Sequence, residues 1–134
     1  MELSTYLFFN GNCKEAFQFY EKALGAKIEF MMTYGEAPDK EAAASHSADK
    51  IMHVRLKVGE HALMGSDSPP QHYRTPQGFS VSCSVASKAD GERVFKALSE
   101  GGNVIMPLAK TFWAECFGMC VDRFGISWMV NCEH

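Results

Sequence analysis

Apolar and polar residues alternate along several segments of the chain, and each such segment predicts a strand. The first strand is predicted at Leu3–Phe9 and the second at Ile28–Met32. Between them, apolar residues recur at helical spacing and predict a helix that begins at Asn12 and ends at Gly25. We expect the Asn12 side chain to cap this helix, with Glu15 at the spacing of a capping box.

A hairpin is predicted later in the first half. Residues Met52–Val58 alternate between apolar side chains and the polar His53, Arg55 and Lys57, and a turn at Gly59-Glu60 leads into a returning strand, His61–Ser66. The polar, small residues 35–50 before the hairpin predict a loop, in which the segment 41–44 (EAAA) could form one helical turn.

The second half of the chain repeats this order of elements. Because the two halves share few identical residues, the repeat is inferred mainly from the order. The predicted elements are a strand at Phe79–Val85, a helix with a capping box at Ser87 and Asp90 that ends at Gly101-Gly102, a strand at Val104–Leu108 that Pro107 marks as an edge, and a hairpin of Phe117–Val121 and Ile126–Val130.

The pattern therefore predicts an α+β fold made of two βαβββ modules. We place the first module at about residues 1–67, a proline-rich linker at 68–77 and the second module at about 78–134. The two modules are expected to form one cupped mixed sheet, with the helices on its outer face and a cleft on the other. One chain, or two chains that exchange modules, could close this cleft.

Strand alternation assigns small and polar side chains to the face away from the helices. This face is a pocket if the sheet curls, and an ordinary solvated surface if it does not. The aromatic pair Phe112 and Trp113 lies in a loop, where it could act as a lid, an interface contact or simple packing. The residues assigned to the face are His53, Arg55 and Lys57 of the third strand, Ser80, Ser82 and Ser84 of the fifth, Cys116, Gly118 and Cys120 of the seventh, and Ser127, Met129 and Asn131 of the eighth.

Two titratable residues are candidates for chemistry. His53 could act as a general base, a ligand or a donor to a bound molecule, although a lone strand histidine is often structural. Asp67 ends the fourth strand, where it could pair with His53 in acid–base chemistry or simply suit a turn before Ser-Pro-Pro. Asp122 leads into Arg123-Phe124-Gly125 and is expected to be a turn residue.

Composition narrows the classes of partner. A net charge of −3 with scattered Lys and Arg argues against nucleic acid, and no apolar run approaches the length of a membrane span. The start of the chain has no basic segment typical of a secretory signal, so we expect a cytoplasmic protein whose five cysteines are reduced. Cys116 and Cys120 lie about 13 Å apart along one predicted strand, too far for a disulfide with each other.

Several phrases together resemble the PhnB-like branch of the glyoxalase/bleomycin resistance/dioxygenase (vicinal oxygen chelate) superfamily, and the resemblance runs nearly end to end. This branch often carries a demethylubiquinone methyltransferase-like label, and the resemblance implies paired βαβββ modules and a homodimer. The sequence, however, has no glycine-rich loop opening a helix for a methyl-donor nucleotide. The phrases are Asn10-Gly11-Asn12-Cys13-Lys14-Glu15-Ala16, Phe19-Tyr20, Met52-His53-Val54, Phe112-Trp113, Asp122-Arg123-Phe124-Gly125 and Trp128.

The resemblance also implies where a metal would bind. Superfamily enzymes carry one His, Glu or Gln ligand on each of the first, fourth, fifth and eighth strands, and these positions correspond here to Thr5, Met64, Ser80 and Met129. Thioethers and neutral hydroxyls are poor ligands for the usual divalent metals. We therefore expect no cofactor, and a divalent metal is disfavoured.

The favoured hypothesis is a metal-free protein that binds a small, partly apolar metabolite in the cleft. The alternative is a lyase-, isomerase- or dioxygenase-like enzyme that uses His53 and Asp67 or an off-pattern metal, and a third hypothesis is a dimeric scaffold. The residues predicted to line the pocket are Thr5, Met64, Ser80, Ser82, Phe112, Trp113, Cys120 and Met129.

Overall fold

The computed structural model describes residues 1–38 and 47–133. The chain divides into two compact units, one over residues 1–74 and one from Thr75 onward. The helical turn predicted at 41–44 lies outside the described residues. No helix among the described residues is long and apolar enough to cross a membrane.

The first unit is a four-stranded mixed sheet with one helix packed against it. Its strand order is β1-β4-β3-β2; β1 pairs with β4 in parallel, and the other neighbours are antiparallel. A single 3₁₀ turn follows β2, and another lies within the predicted linker. The elements are β1 (Thr5–Phe9), α1 (Cys13–Leu24), β2 (Lys27–Thr33), β3 (Ile51–Val58) and β4 (His61–Asp67).

The second unit repeats this topology. Its order is β5-β8-β7-β6, again with one parallel pair, β5 with β8. Both βαβββ modules predicted from the sequence are thus confirmed, and β6, which contains Pro107, is an edge strand. The elements are β5 (Val81–Val85), α2 (Lys88–Ser99), β6 (Asn103–Ala109), β7 (Cys116–Val121) and β8 (Ser127–Cys132).

In each unit a phenylalanine of the helix packs on a glycine of the sheet. Phe17 of α1 lies against Gly65 of β4, and Phe95 of α2 lies against Gly118 of β7; a Cβ at either glycine would meet the ring at 2.7 Å and 2.8 Å, respectively. Both rings are buried, and burying a phenylalanine stabilises a fold by roughly 1.5–3 kcal/mol. The glycines therefore set how closely each helix approaches its sheet.

The two helices begin in different ways. Ser87 caps α2 as predicted, because its hydroxyl accepts a hydrogen bond from the Asp90 N–H at 3.1 Å. Asn12 precedes α1, but within the described residues its side chain makes no cap hydrogen bond, so the predicted side-chain cap is wrong. The carboxylate of Asp67 instead accepts the N–H of Cys13, the first residue of the helix.

The sequence-based face assignment of β7 needs correction. The register pairs Cys120 with Trp128 and Gly118 with Val130, and these β8 residues face α2. Cys120 therefore lies buried on the helix side, not with the predicted pocket-lining residues. The apolar character of both faces of β7 explains the error, because alternation then carries no information about which face is inside.

The expectation of five reduced cysteines is also corrected. Cys116 and Cys132 face each other across β7 and β8 with Cα atoms 4.8 Å apart, and the structure joins them in a disulfide. Such a Cα separation falls within the range that disulfides require. The distance along the predicted strand excluded only a disulfide between Cys116 and Cys120. The partner of Cys116 lies instead on the neighbouring strand, β8.

Candidate functional site

The open face of the first sheet, which we define as the face away from α1, carries a row of large side chains that crosses all four strands. Register pairs Tyr6 with Met64, Met64 with Arg55, and Arg55 with Phe30. Side chains of paired residues on one face lie close together. The row therefore forms a continuous surface of two aromatic rings, a thioether and a guanidinium.

This open face exposes three aromatic side chains. Tyr6, Phe8 and Phe30 are 37%, 55% and 45% exposed, whereas Leu7 and Phe9, on the other face of β1, are buried against the helix side. Single exposed apolar side chains are ordinary, but contiguous apolar patches mark binding surfaces. The open face of the first sheet is therefore the candidate site.

His53 lies beside two of these aromatic rings. Its Nδ1 is 3.1 Å from the Tyr6 hydroxyl, its ring stacks on Tyr6 at 5.7 Å between centroids, and Phe30 lies 5.9 Å away. Because Tyr6 occupies Nδ1, Nε2 is the ring nitrogen left for a bound molecule. When the Tyr6 hydroxyl donates to Nδ1, Nε2 carries the proton and acts as a donor; in the other tautomer it accepts.

Arg55 supplies the positive charge on the same face. Its Nε lies 3.3 Å from Oε1 of Glu29, and both side chains are 41% exposed. Its Nη1 lies 3.6 Å from the sulfur of Met64. The site therefore combines an apolar wall, a titratable imidazole and a half-exposed cation.

The carboxylate of Asp67 is buried and bonded to backbone groups. The residue is 2% exposed, and its Oδ1 accepts the N–H groups of Gly11 and Cys13 while its Oδ2 accepts that of Ile51, at 2.9–3.0 Å. Three backbone donors thus satisfy the carboxylate. These bonds give Asp67 a structural role, because they tie the β1–α1 loop and the start of β3 to the end of β4.

Asp122 is the corresponding buried carboxylate of the second unit. Its Oδ1 accepts the N–H groups of Phe124 and Ile126, and its Oδ2 accepts the indole N–H of Trp128 at 2.9 Å. These bonds close the turn between β7 and β8, as expected of a turn residue.

The open face of the second unit, again the one away from its helix, carries serines on β5 where the first carries aromatic rings on β1. Register pairs Ser82 with Met129 and Met129 with Met119. At one end of this face the exposed Trp113 ring packs edge-on against Phe117 at 5.4 Å and against Phe112 at 4.8 Å. Ser82 and Met129 are thus brought together, while Phe112, at 94% exposure, extends into solvent.

The predicted equivalence of Thr5 and Ser80 differs by one residue from the equivalence that strand pairing gives. Tyr6, not Thr5, pairs with Met64, and Ser82 is the corresponding partner of Met129. Thr5 shares its strand face with Leu7, and Ser80 precedes β5. A one-residue shift moves a side chain to the opposite face of a sheet.

The donor atoms at the corrected positions do not fit a divalent metal. The phenol of Tyr6, the hydroxyl of Ser82 and the two methionine thioethers are poor ligands for such ions. Within the described residues, no three His, Cys, Asp or Glu side chains are grouped to hold one.

The free thiols are poor nucleophiles. Burial, with a smaller contribution from Asp67, raises the pKa of Cys13 far above its ordinary value. Burial raises the pKa of Cys83 as well, and burial together with Asp122 raises that of Cys120 to about 11. Each stays protonated near neutral pH, and the thiolate is the reactive form.

Residues 1–131 match the family model described as 3-demethylubiquinone-9 3-methyltransferase. The chain belongs to this PhnB-like family. Protein YjdN of Escherichia coli K12 is 31% identical, covering 98% of this chain and 95% of YjdN.

Solved structures place the PhnB-like family within a wider fold. Protein PA1353 from Pseudomonas aeruginosa is 51% identical with a TM-score of 0.90, covering 99% of this chain and 98% of that one. A PhnB protein from Bacillus cereus, named a putative 3-demethylubiquinone-9 3-methyltransferase, is 23% identical with a TM-score of 0.83. The match covers 98% of this chain and 99% of the Bacillus cereus chain. A glyoxylase/bleomycin resistance protein/dioxygenase domain from Frankia, at 11% identity and TM-score 0.69 over 100% and 98%, shares the fold. The predicted PhnB-like family and the predicted fold are thus confirmed.

Sequence reasoning identified His53 but missed the aromatic residues around it. Tyr6 and Phe8 belong to a strand that is apolar on both faces, with Leu7 and Phe9 on the other. A strand that is apolar on both faces in a sheet covered by one helix is itself a signal, because one of those faces must meet solvent or a ligand.

Proposed function

We propose that this protein binds a small, partly apolar molecule on the open face of the first sheet, without the metal used by enzymes of its superfamily. The observation that carries the proposal is that the partly exposed rings of Tyr6 and Phe30 lie against His53, with the ring of Phe8 beside Tyr6. Binding sites combine such apolar walls with a few polar groups that fix orientation. The family's methyltransferase name adds no support for methyl transfer, because the sequence lacks a loop for a methyl-donor nucleotide.

Each side chain has a defined part in the proposed site. Tyr6, Phe8 and Phe30 provide flat apolar surface, and Met64 fills the space between β1 and β3 with a flexible thioether. Nε2 of His53 hydrogen-bonds the polar group of the ligand, while Tyr6 holds the imidazole through Nδ1. These roles describe orientation and do not require a chemical step.

Titration with 1-naphthalenemethanol, followed by amide shifts in NMR spectra, tests the proposal. The expected result is saturable shifts along β1 and β3. Phe8→Ala should weaken binding about tenfold, because a phenylalanine covered by a ligand contributes roughly 1.5–3 kcal/mol.

Phe79→Ala is the matched control, because Phe79 is 58% exposed, close to the 55% of Phe8, but lies in the second unit. This variant should bind the probe as the unmodified protein does. Shifts that do not saturate, or equal weakening by the two substitutions, would contradict the proposed site.

A further inference from the structure

Arg55 uses only part of its guanidinium within the protein. Its Nε meets Glu29 at 3.3 Å, which is longer than the 2.7–2.9 Å of strong charge-assisted hydrogen bonds. Its Nη1 meets only the Met64 sulfur, a weak acceptor, at 3.6 Å. The remaining N–H groups donate to no acceptor in the described residues. The Nη1–Nη2 edge, which could bind a carboxylate through two parallel hydrogen bonds, is therefore available.

Glu29 stands beside Arg55 because β2 is irregular there. The register with β3 shifts between Ile28 and Phe30, which leaves Glu29 as the additional residue of a bulge. Bulges redirect side chains and often lie near functional sites. Since the Glu29–Arg55 pair is single and half-exposed, it should contribute only about 0–1 kcal/mol, and an incoming anion could replace it.

Further positive charge lies in the next row of the same sheet. Lys27 and Lys57 are register partners and both are exposed. Lys57 is two residues from Arg55 on β3, so it shares the open face. Arg55, Lys57 and Lys27 thus give this part of the sheet three cations beside the carboxylate of Glu29.

We infer that the ligand is a small carboxylate with a flat apolar body. The carboxylate binds the free edge of Arg55, and the apolar body lies on Tyr6 and Phe30, which flank Arg55 and Met64 in the same row. Glu29 competes for the guanidinium and so moderates affinity. This inference rests on the proposed function, since it specifies the ligand of the same face.

Two probes of matched shape test the inference: 1-naphthoate, which is anionic, and 1-naphthalenemethanol, which is neutral. The unmodified protein should bind naphthoate about tenfold more tightly, because hydrogen bonds to charged groups contribute roughly 1.5–3 kcal/mol. Arg55→Met should remove this difference, because it weakens binding of naphthoate about tenfold more than binding of the alcohol. Glu29→Gln should tighten binding of naphthoate about threefold and leave binding of the alcohol unchanged.

Arg93→Met is the matched control, because Arg93 forms a similar exposed pair with Asp90 at 3.6 Å on α2. It should affect neither probe. If neither probe binds the unmodified protein, the proposed function itself fails. If both probes bind equally and Glu29→Gln has no effect, the carboxylate inference is overturned while the proposed function stands. Equal loss of both probes in Arg55→Met also overturns it, since Arg55 would then act by packing alone.

Discussion

The two units share strand order, register pattern and helix position, yet their open faces differ. Tyr6 and Phe8 project from β1, whereas Ser82 and Ser84 occupy the corresponding positions of β5, opposite Met129 and Asn131. On the helix side both sheets are apolar and buried. The repeated fold thus constrains the face that packs on a helix and leaves the other free to take up different chemistry.

The buried aspartates differ in the same instructive way. Asp67 accepts N–H groups from residues 56, 54 and 16 positions away, and so joins distant parts of its unit. Asp122 accepts from residues only 2, 4 and 6 positions away, within one hairpin. Although both aspartates are buried, Asp67 connects segments that are distant in sequence, whereas Asp122 stabilises a local turn.

Replacing each aspartate by alanine should give the largest effect and test this contrast. Asp67→Ala leaves three buried backbone donors without their acceptor, and we expect a loss of at least about 3 kcal/mol in the free energy of unfolding. Asp122→Ala should cost about 2 kcal/mol, because part of its turn can rearrange to reach water. Urea denaturation measures both.

An asparagine substitution serves as the control, because it keeps the shape of the aspartate side chain. Asp67→Asn keeps one acceptor oxygen for Gly11 and Cys13 but turns an N–H₂ toward the N–H of Ile51, so an intermediate loss is expected. A larger loss for Asp122→Ala than for Asp67→Ala would remove the proposed difference between long-range and local roles.

The same contrast explains what could be predicted from sequence. Element order followed from alternation and helical spacing, and His53 was placed correctly away from the helix. The role of Asp67 could not be predicted, because its partners Gly11 and Cys13 are far away in sequence and only the parallel pairing of β1 and β4 brings them near. The neighbouring residues, Ser-Pro-Pro, indicated only a turn after Asp67.

The sequence predicted which face of a strand packs on the helix only where the two faces differ in polarity. In β8 the buried Trp128 and Val130 alternate with Met129 and Asn131, and the prediction was correct. In β7 both faces are apolar, so the assignment of Cys120 failed and only pairing with β8 fixes it.

A second test addresses how the helix of the second unit approaches its sheet. Gly91 of α2 lies on the paired sulfurs of Cys116 and Cys132, and a Cβ there would overlap both. Gly→Ala inside a helix normally stabilises by up to about 1 kcal/mol. Gly91→Ala should instead destabilise by about 1–3 kcal/mol, because overpacking forces the helix or the sulfurs to move.

The double variant Gly91→Ala with Cys132→Ala supplies the control, since removing one sulfur makes room for the new methyl group. Its two changes should be non-additive, with a total loss smaller than the sum of the single variants. Additive losses, or a stabilised Gly91→Ala, would show that the sulfurs do not limit the approach of α2.

The smallest expected effect is a pH dependence that separates the buried thiols of the two units. Above about pH 9 the unfolded chain releases a thiol proton that folded Cys13 keeps, because burial raises its pKa. The unfolded state then binds fewer protons, so the free energy of unfolding falls as pH rises, by up to ~1.4 kcal/mol per unit for each such thiol. For Cys120 this fall should end near its folded pKa of about 11.

Urea denaturation between pH 8 and 10, under reduction gentle enough to keep the Cys116–Cys132 bond, should give a shallower slope for Cys13→Ala than for the unmodified protein. Tyr34, whose pKa is raised mainly by burial and to a smaller extent by Cys13, adds to the fall in both proteins, and slightly less in the variant. Identical slopes would show that Cys13 ionises alike in the folded and unfolded states, and would remove the protonated buried thiol as a feature of the first unit.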